Sequence, residues 1–221
     1  MNIVFDFAGV VFHWSPPALL RETLPQRTAD DAAAQALMEQ LFQGFLPGSD
    51  WAGFDLGLIG AEALAERIAR RTGVAEADVR AVVDAIPAHL RAHPDTVALM
   101  RRLKRAGHRL FYLSNMPAPY ADHLERSHDF FDLFDDGIFS ARVRMMKPQP
   151  EIFRAAAERF GLAPAQMLFI DDTMPNVDAA RALGWQALHF TGADACEAAL
   201  PPGTFDRAGQ SAATPIGHWR R

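Results

Sequence analysis

Four polar signals in this sequence stand at or just beyond apolar runs. Ile3-Val4-Phe5 leads into Asp6 and the turn Phe7-Ala8-Gly9; Phe111-Tyr112-Leu113 leads into Ser114-Asn115; Lys147-Pro148 lies in a loop before a helical stretch; and Phe169-Ile170 leads into Asp171-Asp172. A carboxylate at the end of a buried-type strand is costly to desolvate unless it has a purpose there. Two adjacent acids on one turn repel as bare carboxylates and are easier to explain with a metal ion than without one. Acids, a lysine and a hydroxyl–amide pair in this order read as a single active site built for charge chemistry.

The elements that must position these groups alternate along the second half of the chain. Arg109–Leu113, Gly137–Phe139, Met167–Ile170 and Ala187–Phe190 read as strands. Between them Ile152, Phe153, Ala156 and Phe160 recur at helical spacing, with Pro150 near the start and Gly161 as the stop. Val177, Ala180 and Leu183 repeat the pattern up to Gly184, and Val97, Met100 and Leu103 do so before Gly107. This alternation predicts an α/β fold, a Rossmann-like parallel sheet with helices on both faces. Ligands of such sheets bind beyond the carboxyl ends of the strands, near a topological switch, which is where the four signals fall.

The stretch 15–90 has a different texture. Helical periods run from Asp31 to Phe45, Ala61 to Thr72 and Glu76 to Ile86, and no strand is evident. The expected organisation is an α/β domain made of 1–14 and 91–205, an all-helical insert at 15–90 able to lie over the strand ends, and a weakly ordered tail at 206–221, rich in Gly, Ala, Ser and Pro.

With 221 residues, 49% of them hydrophobic, the chain can bury a sizeable core. Its net charge of −5 argues against a nucleic-acid binder. The single cysteine, Cys196, forms no internal disulfide, which fits a reducing compartment. No cleavable leader and no apolar run of spanning length is evident. The expectation is a cytoplasmic protein, a monomer or small homo-oligomer, without membrane or nucleic-acid partners. Neither GxxxxGK nor GxGxxG occurs.

Taken together, FDFAGVVF at 5–12, LSN at 113–115, KP at 147–148 and FIDD at 169–172 with Asn176 resemble the haloacid dehalogenase-like hydrolase superfamily, most of whose members are magnesium-dependent phosphatases. The likeness covers nearly the whole chain, and the helical insert resembles the family's cap domain. Asp55-Leu56-Gly57-Leu58-Ile59 resembles a cap sequence of the branch that includes sugar-phosphate phosphatases and epoxide hydrolase N-terminal domains. The resemblance implies that Asp6 attacks phosphorus and carries an aspartyl phosphate. It implies a magnesium ion (Mg2+) at Asp6, Asp172 and the Ala8 carbonyl, with Asp171 at the same site orienting a metal-bound water or Lys147. Ser114 and the Asn115 backbone N–H would bind phosphoryl oxygens and Lys147 would neutralise them. The implied substrate is a small phosphorylated metabolite, with sugar phosphates among the candidates.

One position departs from the family pattern. The second acid expected two residues after the nucleophile is Ala8, and general acid–base help of that kind is worth roughly 10²–10⁴-fold. Three readings stay open: a substrate with a good leaving group, a cap residue or water in place of the acid, or a catalytically impaired binding protein. Hydrolytic dehalogenases also lack that acid; they would need a halide pocket with an arginine and aromatic walls, for which Trp14, Trp51 and Phe54 are the aromatic candidates. The Asp171-Asp172 pair favours the metal-dependent phosphatase.

The remaining polar residues read more plainly. Asn176 is expected to N-cap its helix. His13 sits where the chain enters the insert, as a hinge. His89 and His93 are four apart, but Pro87 and Pro94 break the helix that a two-histidine metal site would require. Cys196 has no basic neighbour in sequence to make it a thiolate. Arg101, Arg102, Lys104 and Arg105 form a solvated helix face.

Overall fold

A computed structural model describes residues 1–46 and 48–206. Its sheet is parallel, in the order β3-β2-β1-β4-β5, with β1 Asn2–Phe5, β2 Arg109–Ser114, β3 Asp136–Phe139, β4 Met167–Asp171 and β5 Gln186–His189. Successive side chains of a strand point to opposite faces, and here both faces are covered. Ile3, Phe5, Leu110, Tyr112, Leu168 and Ile170 pack on one side with α6 (Pro94–Arg105), α7 (Ala118–Ser127) and α11 (Ala193–Ala199). Val4, Phe111, Leu113 and Phe169 pack on the other with α9 (Pro150–Phe160) and α10 (Met174–Ala182). Burial on both faces is why these strands read as continuous apolar runs.

The register fixes the site. Phe5 is level with Tyr112 on one side and Ile170 on the other. The residues that follow, Asp6 and Asp171, therefore leave the same edge of the sheet side by side. The chain steps outward from β1 through β2 to β3, then returns to the other flank of β1 for β4. The switch between β1 and β4 opens the crevice into which both acids emerge.

Between β1 and α6 the chain is helical: α1 Pro16–Thr23, α2 Asp31–Phe42, α3 Asp50–Asp55, α4 Ala61–Thr72 and α5 Glu76–His89. Side chains of Ser15, Asp30 and Ser49 accept N–H bonds from Ala18, Ala33 and Ala52, starting α1, α2 and α3. The apolar residues of these helices run without a break into the core on one face of the sheet. The entering and leaving chains are laced together, His13 N–H to Arg91 O and His93 N–H to Val11 O, each 2.8 Å, and the His13 and His93 rings lie 3.4 Å apart between centroids. His13 is thus at the neck between the two parts. In α6, Arg102 pairs with Glu197 and Lys104 with Asp135, so the basic run is an ion-paired outer face. No helix among the described residues is long and apolar enough to cross a membrane.

Two helix boundaries differ from expectation. The helix expected to reach Phe45 stops at Phe42, because Gln43 and Gly44 turn left-handed (φ 51° and 60°) and the chain continues as a short 3₁₀ turn. The helix expected to end at Ile86 continues through Pro87 to His89. Proline removes the N–H that would bond the carbonyl four residues back. That carbonyl, Val83 O, instead accepts the Tyr120 hydroxyl of α7 at 2.7 Å, so the proline is tolerated. Apart from Asp206, the expected weakly ordered tail lies outside the described residues.

Tyr120→Phe strips the Val83 carbonyl of this donor and is expected to cost about 1–2 kcal/mol in urea unfolding. With Pro87→Ala present, a backbone N–H can take over and the cost should shrink towards zero. An equal cost in both backgrounds contradicts this account of the proline.

Candidate active site

Asp6 is held from three directions. Its N–H bonds Ile170 O at 2.9 Å, and its Oδ1 accepts the Phe7 N–H at 2.6 Å. Phe7 is gripped by Tyr112 and Phe139, with centroids 4.9 and 5.4 Å away. Its carbonyl takes the N–H groups of Val10, Val11 and Phe12, which closes the turn. Gly9 (φ +83°) passes directly beneath Asp172, where a Cβ would lie 2.2 Å from Asp172 Oδ2. Only glycine allows that approach without displacing the acid.

Lys147 reaches the same point from the loop after α8 (Ser140–Val143). Its side chain is 1% exposed, and Nζ lies 2.9 Å from Asp6 Oδ1 and 2.6 Å from Asp171 Oδ2. Asn115 aims this loop with its side-chain amide. Nδ2 donates to Lys147 O at 2.9 Å and Oδ1 accepts the Lys147 N–H at 2.8 Å. Sequence reasoning gave Asn115 only a backbone role; the clamp joins residues 32 apart and leaves no local signal.

Asp171 is fully buried and fully engaged. Besides Lys147 it accepts the Thr173 N–H at 2.8 Å and both contacts of Asn176 Nδ2 at 3.1 Å. This corrects the expected N-cap role of Asn176: α10 starts at Met174 with Thr173 in the cap position, and the Asn176 amide turns back to satisfy the acid. Ser114 is wholly buried at the end of β2 and does not border the cavity described below. Its Oγ has no hydrogen-bond partner among the described residues, which is costly for a buried hydroxyl.

Asp6, Asp171 and Asp172 each bring an oxygen within 4.8 Å of the others. Burial, eased by Lys147 and aggravated by the other two acids, pushes Asp6 up to about 7. Asp172 is raised as well, first by burial and then by Asp171. Burial alone would lower Lys147, but Asp171 and Asp6 outweigh it and hold the ammonium above its ordinary range. Three carboxylates against one ammonium leave an excess of negative charge in a cluster of hard oxygen donors. That donor set fits a small divalent cation such as magnesium, and Ala8, whose carbonyl was expected to join it, borders the same space. No other group of acids, histidines and cysteine among the described residues clusters in this way.

Above the acids lies a cavity of about 410 Å³ with Asp6, Lys147 and Asp172 at its floor. Trp14, Trp51, Ile86, Leu90, Met116 and Tyr120 form much of its apolar wall. Trp14 and Trp51 stand where expected. Phe54 does not border the cavity; it is buried edge-on against Tyr120 at 5.4 Å. Among the described residues no arginine or histidine borders it. Cys196 lies elsewhere, its thiol pushed up to about 11 by burial and Glu197. One acid breaks the apolar wall. Asp55, at the end of α3, is buried, and burial pushes its carboxyl up to about 7.

A model of the haloacid dehalogenase-like hydrolases matches residues 1–184. The sesquiterpene phosphatase astK of Aspergillus oryzae is 29% identical over 189 residues, 85% of this chain and 88% of that protein. The phosphoglycolate phosphatase of Escherichia coli is 32% identical over 98 residues, but these are 44% of this chain and only 39% of that enzyme. Among solved structures, a family enzyme of Bacteroides thetaiotaomicron, in complex with magnesium and inorganic phosphate, superposes with a TM-score of 0.65 at 23% identity, covering 85% of this chain and 92% of that one. The chain belongs to the haloacid dehalogenase-like hydrolases.

The raised carboxyl of Asp55 has a thermodynamic consequence. Between about pH 4 and pH 7 the folded chain keeps a proton that the unfolded chain has released, so stability falls as pH rises through that window. Asp55→Asn has no such loss. In urea unfolding it should match the wild type near pH 4 and exceed it at pH 8 by at most about 4 kcal/mol. A difference independent of pH contradicts the assignment of the titration to Asp55.

Proposed function

We propose that this haloacid dehalogenase-like hydrolase is a magnesium-dependent phosphatase acting on the phosphate ester of a small, largely apolar alcohol, through an aspartyl phosphate on Asp6. The observation that carries the reading is the Lys147 ammonium, buried and bonded to both Asp6 and Asp171 at the floor of an apolar cavity. A carboxylate so held is aimed beside a fixed positive charge that favours its ionised form, as attack on an anionic phosphoryl group requires.

In this reading an Asp6 oxygen attacks phosphorus, the P–O ester bond breaks, and its electron pair leaves with the alcohol oxygen. Water then attacks the acyl phosphate, releasing phosphate and regenerating Asp6. Lys147 holds Asp6 in line and offsets phosphoryl charge; the Asn115 N–H, at the cavity's edge, supplies a donor to the phosphoryl oxygens. Asp171 orients Lys147. Magnesium, held by Asp6, Asp172 and the Ala8 carbonyl, would supply charge for the phosphoryl oxygens and relieve the repulsion among the acids.

The helical insert, 15–90, serves as the cap. It supplies Trp51, Ile86 and Leu90 to the cavity wall, excluding water and choosing the organic group. Its apolar character favours a hydrocarbon-rich alcohol over the sugar implied by the branch resemblance. The A. oryzae relative, named for a sesquiterpene substrate, supports the same direction. A dehalogenase is disfavoured because no arginine borders the cavity among the described residues and the acid cluster would have no use.

Phosphate release from a C15 isoprenyl monophosphate should exceed that from glucose 1-phosphate by at least about tenfold in kcat/KM, as the loss of several buried methylene contacts implies. A chelator should abolish turnover and added magnesium restore it. Asp6→Asn should lower kcat by about 10⁴-fold or more. Metal-independent chloride release from 2-chloropropionate, with no phosphate release from either ester, would overturn the proposal.

A further inference from the structure

We infer that Asp55, carried by the helical insert, is the catalytic acid that protonates the leaving oxygen and then the base that deprotonates the attacking water, in place of the side chain absent at Ala8. The inference rests on the phosphatase reading above and adds to it a residue outside the motifs that carry the family resemblance of the core.

Three features of Asp55 converge. The first is its isolation. It is 9% exposed, yet among the described residues its carboxyl has neither an ion pair nor a hydrogen bond, and it borders the same cavity as Asp6, Ala8 and Lys147. A carboxyl left unpartnered in an apolar wall costs stability, and no packing contact accounts for it.

The second is its anchorage to the phosphate end of the cavity. The Ser140 hydroxyl donates to Asp55 O at 2.5 Å and accepts the Met116 N–H at 2.9 Å, and Met116 directly follows Ser114-Asn115. Two residues on, Gly57 (φ +67°) lies so close to α8 that a Cβ would be 2.9 Å from Ala141 O. Only glycine lets this turn of the insert seat on the core. Asp55 is therefore tied to the turn that follows β2.

The third is its charge environment. Burial lifts the carboxyl to about 7, which suits a group that must give and take a proton near neutrality. The polar groups nearest on the elements packed around α3 are otherwise engaged, and Arg67 of α4 is exposed to solvent. Arg71 of α4 pairs with Asp50, Arg142 of α8 pairs with Asp122 and Glu125, and the Tyr120 hydroxyl of α7 is committed to Val83 O. Lys147, Asp6 and Asp172 line the same cavity, where Lys147 is bound to Asp6 and Asp171, and burial alone accounts for the Asp55 shift. No cation pins Asp55 in its ionised form.

The proton balance closes. As the ester P–O bond breaks, its electron pair on the alcohol oxygen takes the Asp55 proton, leaving Asp55 as carboxylate. When water attacks the phosphorus of the Asp6 phosphate, its proton passes to Asp55, and the pair in the Asp6–P bond returns to Asp6.

The test compares an alkyl phosphate, whose alkoxide leaves poorly, with 4-nitrophenyl phosphate, which needs no acid, in magnesium-loaded enzyme. Asp55→Asn should lower kcat/KM for the alkyl ester roughly 10²–10⁴-fold while changing that for the aryl ester less than about fivefold. Ala8→Asp added to Asp55→Asn should recover at least about tenfold on the alkyl ester. Retained aryl-ester kcat/KM, which does not report the shared hydrolysis of the Asp6 phosphate, shows that the variant is folded. Should it not fold, the wild type decides across a series of esters: weak dependence of rate on leaving-group basicity supports an acid, and steep dependence overturns it. Equal losses of kcat/KM on both esters, or none, overturn the role of Asp55 while sparing the phosphatase reading. A wild type that hydrolyses neither ester overturns both.

Discussion

A buried ammonium between two buried carboxylates constrains everything around it. Lys147 cannot be moved from Asp6 and Asp171 without stranding three charges in a low-dielectric interior. Breaking such a pair is strongly destabilising, because it leaves charges uncompensated. Yet one ammonium does not balance three acids, and Asp172 closes on the same point over a glycine that cannot be anything larger. The cluster is thus incomplete in charge as it stands. It is electrostatically poised for additional positive charge.

The sheet makes this concentration of charge possible. Parallel pairing of β1 with β2 and β4 brings three strand ends to one edge, and the switch of direction beside β1 keeps that edge open. Side chains far apart in sequence then fix the parts relative to one another. The Asn115 amide closes on the backbone of Lys147, Asn176 closes on Asp171, and Ser140 ties the turn after β2 to the insert. The Asn115 and Ser140 clamps hold by the backbone, and Asn176 holds both oxygens of Asp171, the acid that orients Lys147. The reacting atoms themselves stay available.

What was legible in the amino-acid order follows from how each signal is encoded. Strands buried on both faces declare themselves as apolar runs, and a charge at the end of such a run is anomalous enough to mark Asp6 and Asp171 without a structure; Lys147, in a loop before a helix, is marked only by its company. Helix α9 was readable because period, proline start and glycine stop agree, and α4 because period and glycine stop do. Asn176 was misread because an asparagine near a helix start has a common local use, and only the neighbouring acid reveals the other. Pro87 was misread because its missing donor is compensated by a hydroxyl from α7, which no local pattern discloses. Phe54 and Trp51 look alike in sequence; one turn of α3 sends the first into the core and the second to the cavity. Asp55 is 85 residues from the serine that anchors its backbone, and its burial depends on helices that assemble around it.

The placement of Asp55 changes what the helical insert is for. An acid two residues after Asp6 would ride on the same rigid turn as the nucleophile and be present whether or not the insert were seated. An acid on α3 reaches the site only through the Ser140 and Gly57 contacts that dock the insert on the core. Proton transfer then depends on the same packing that shapes the apolar wall and excludes water. An ester whose organic group fails to complete that wall would meet the nucleophile without the acid, so discrimination would appear in the chemical step as well as in binding. Moving one carboxyl from the strand end to the insert makes recognition of the alcohol a condition of its release.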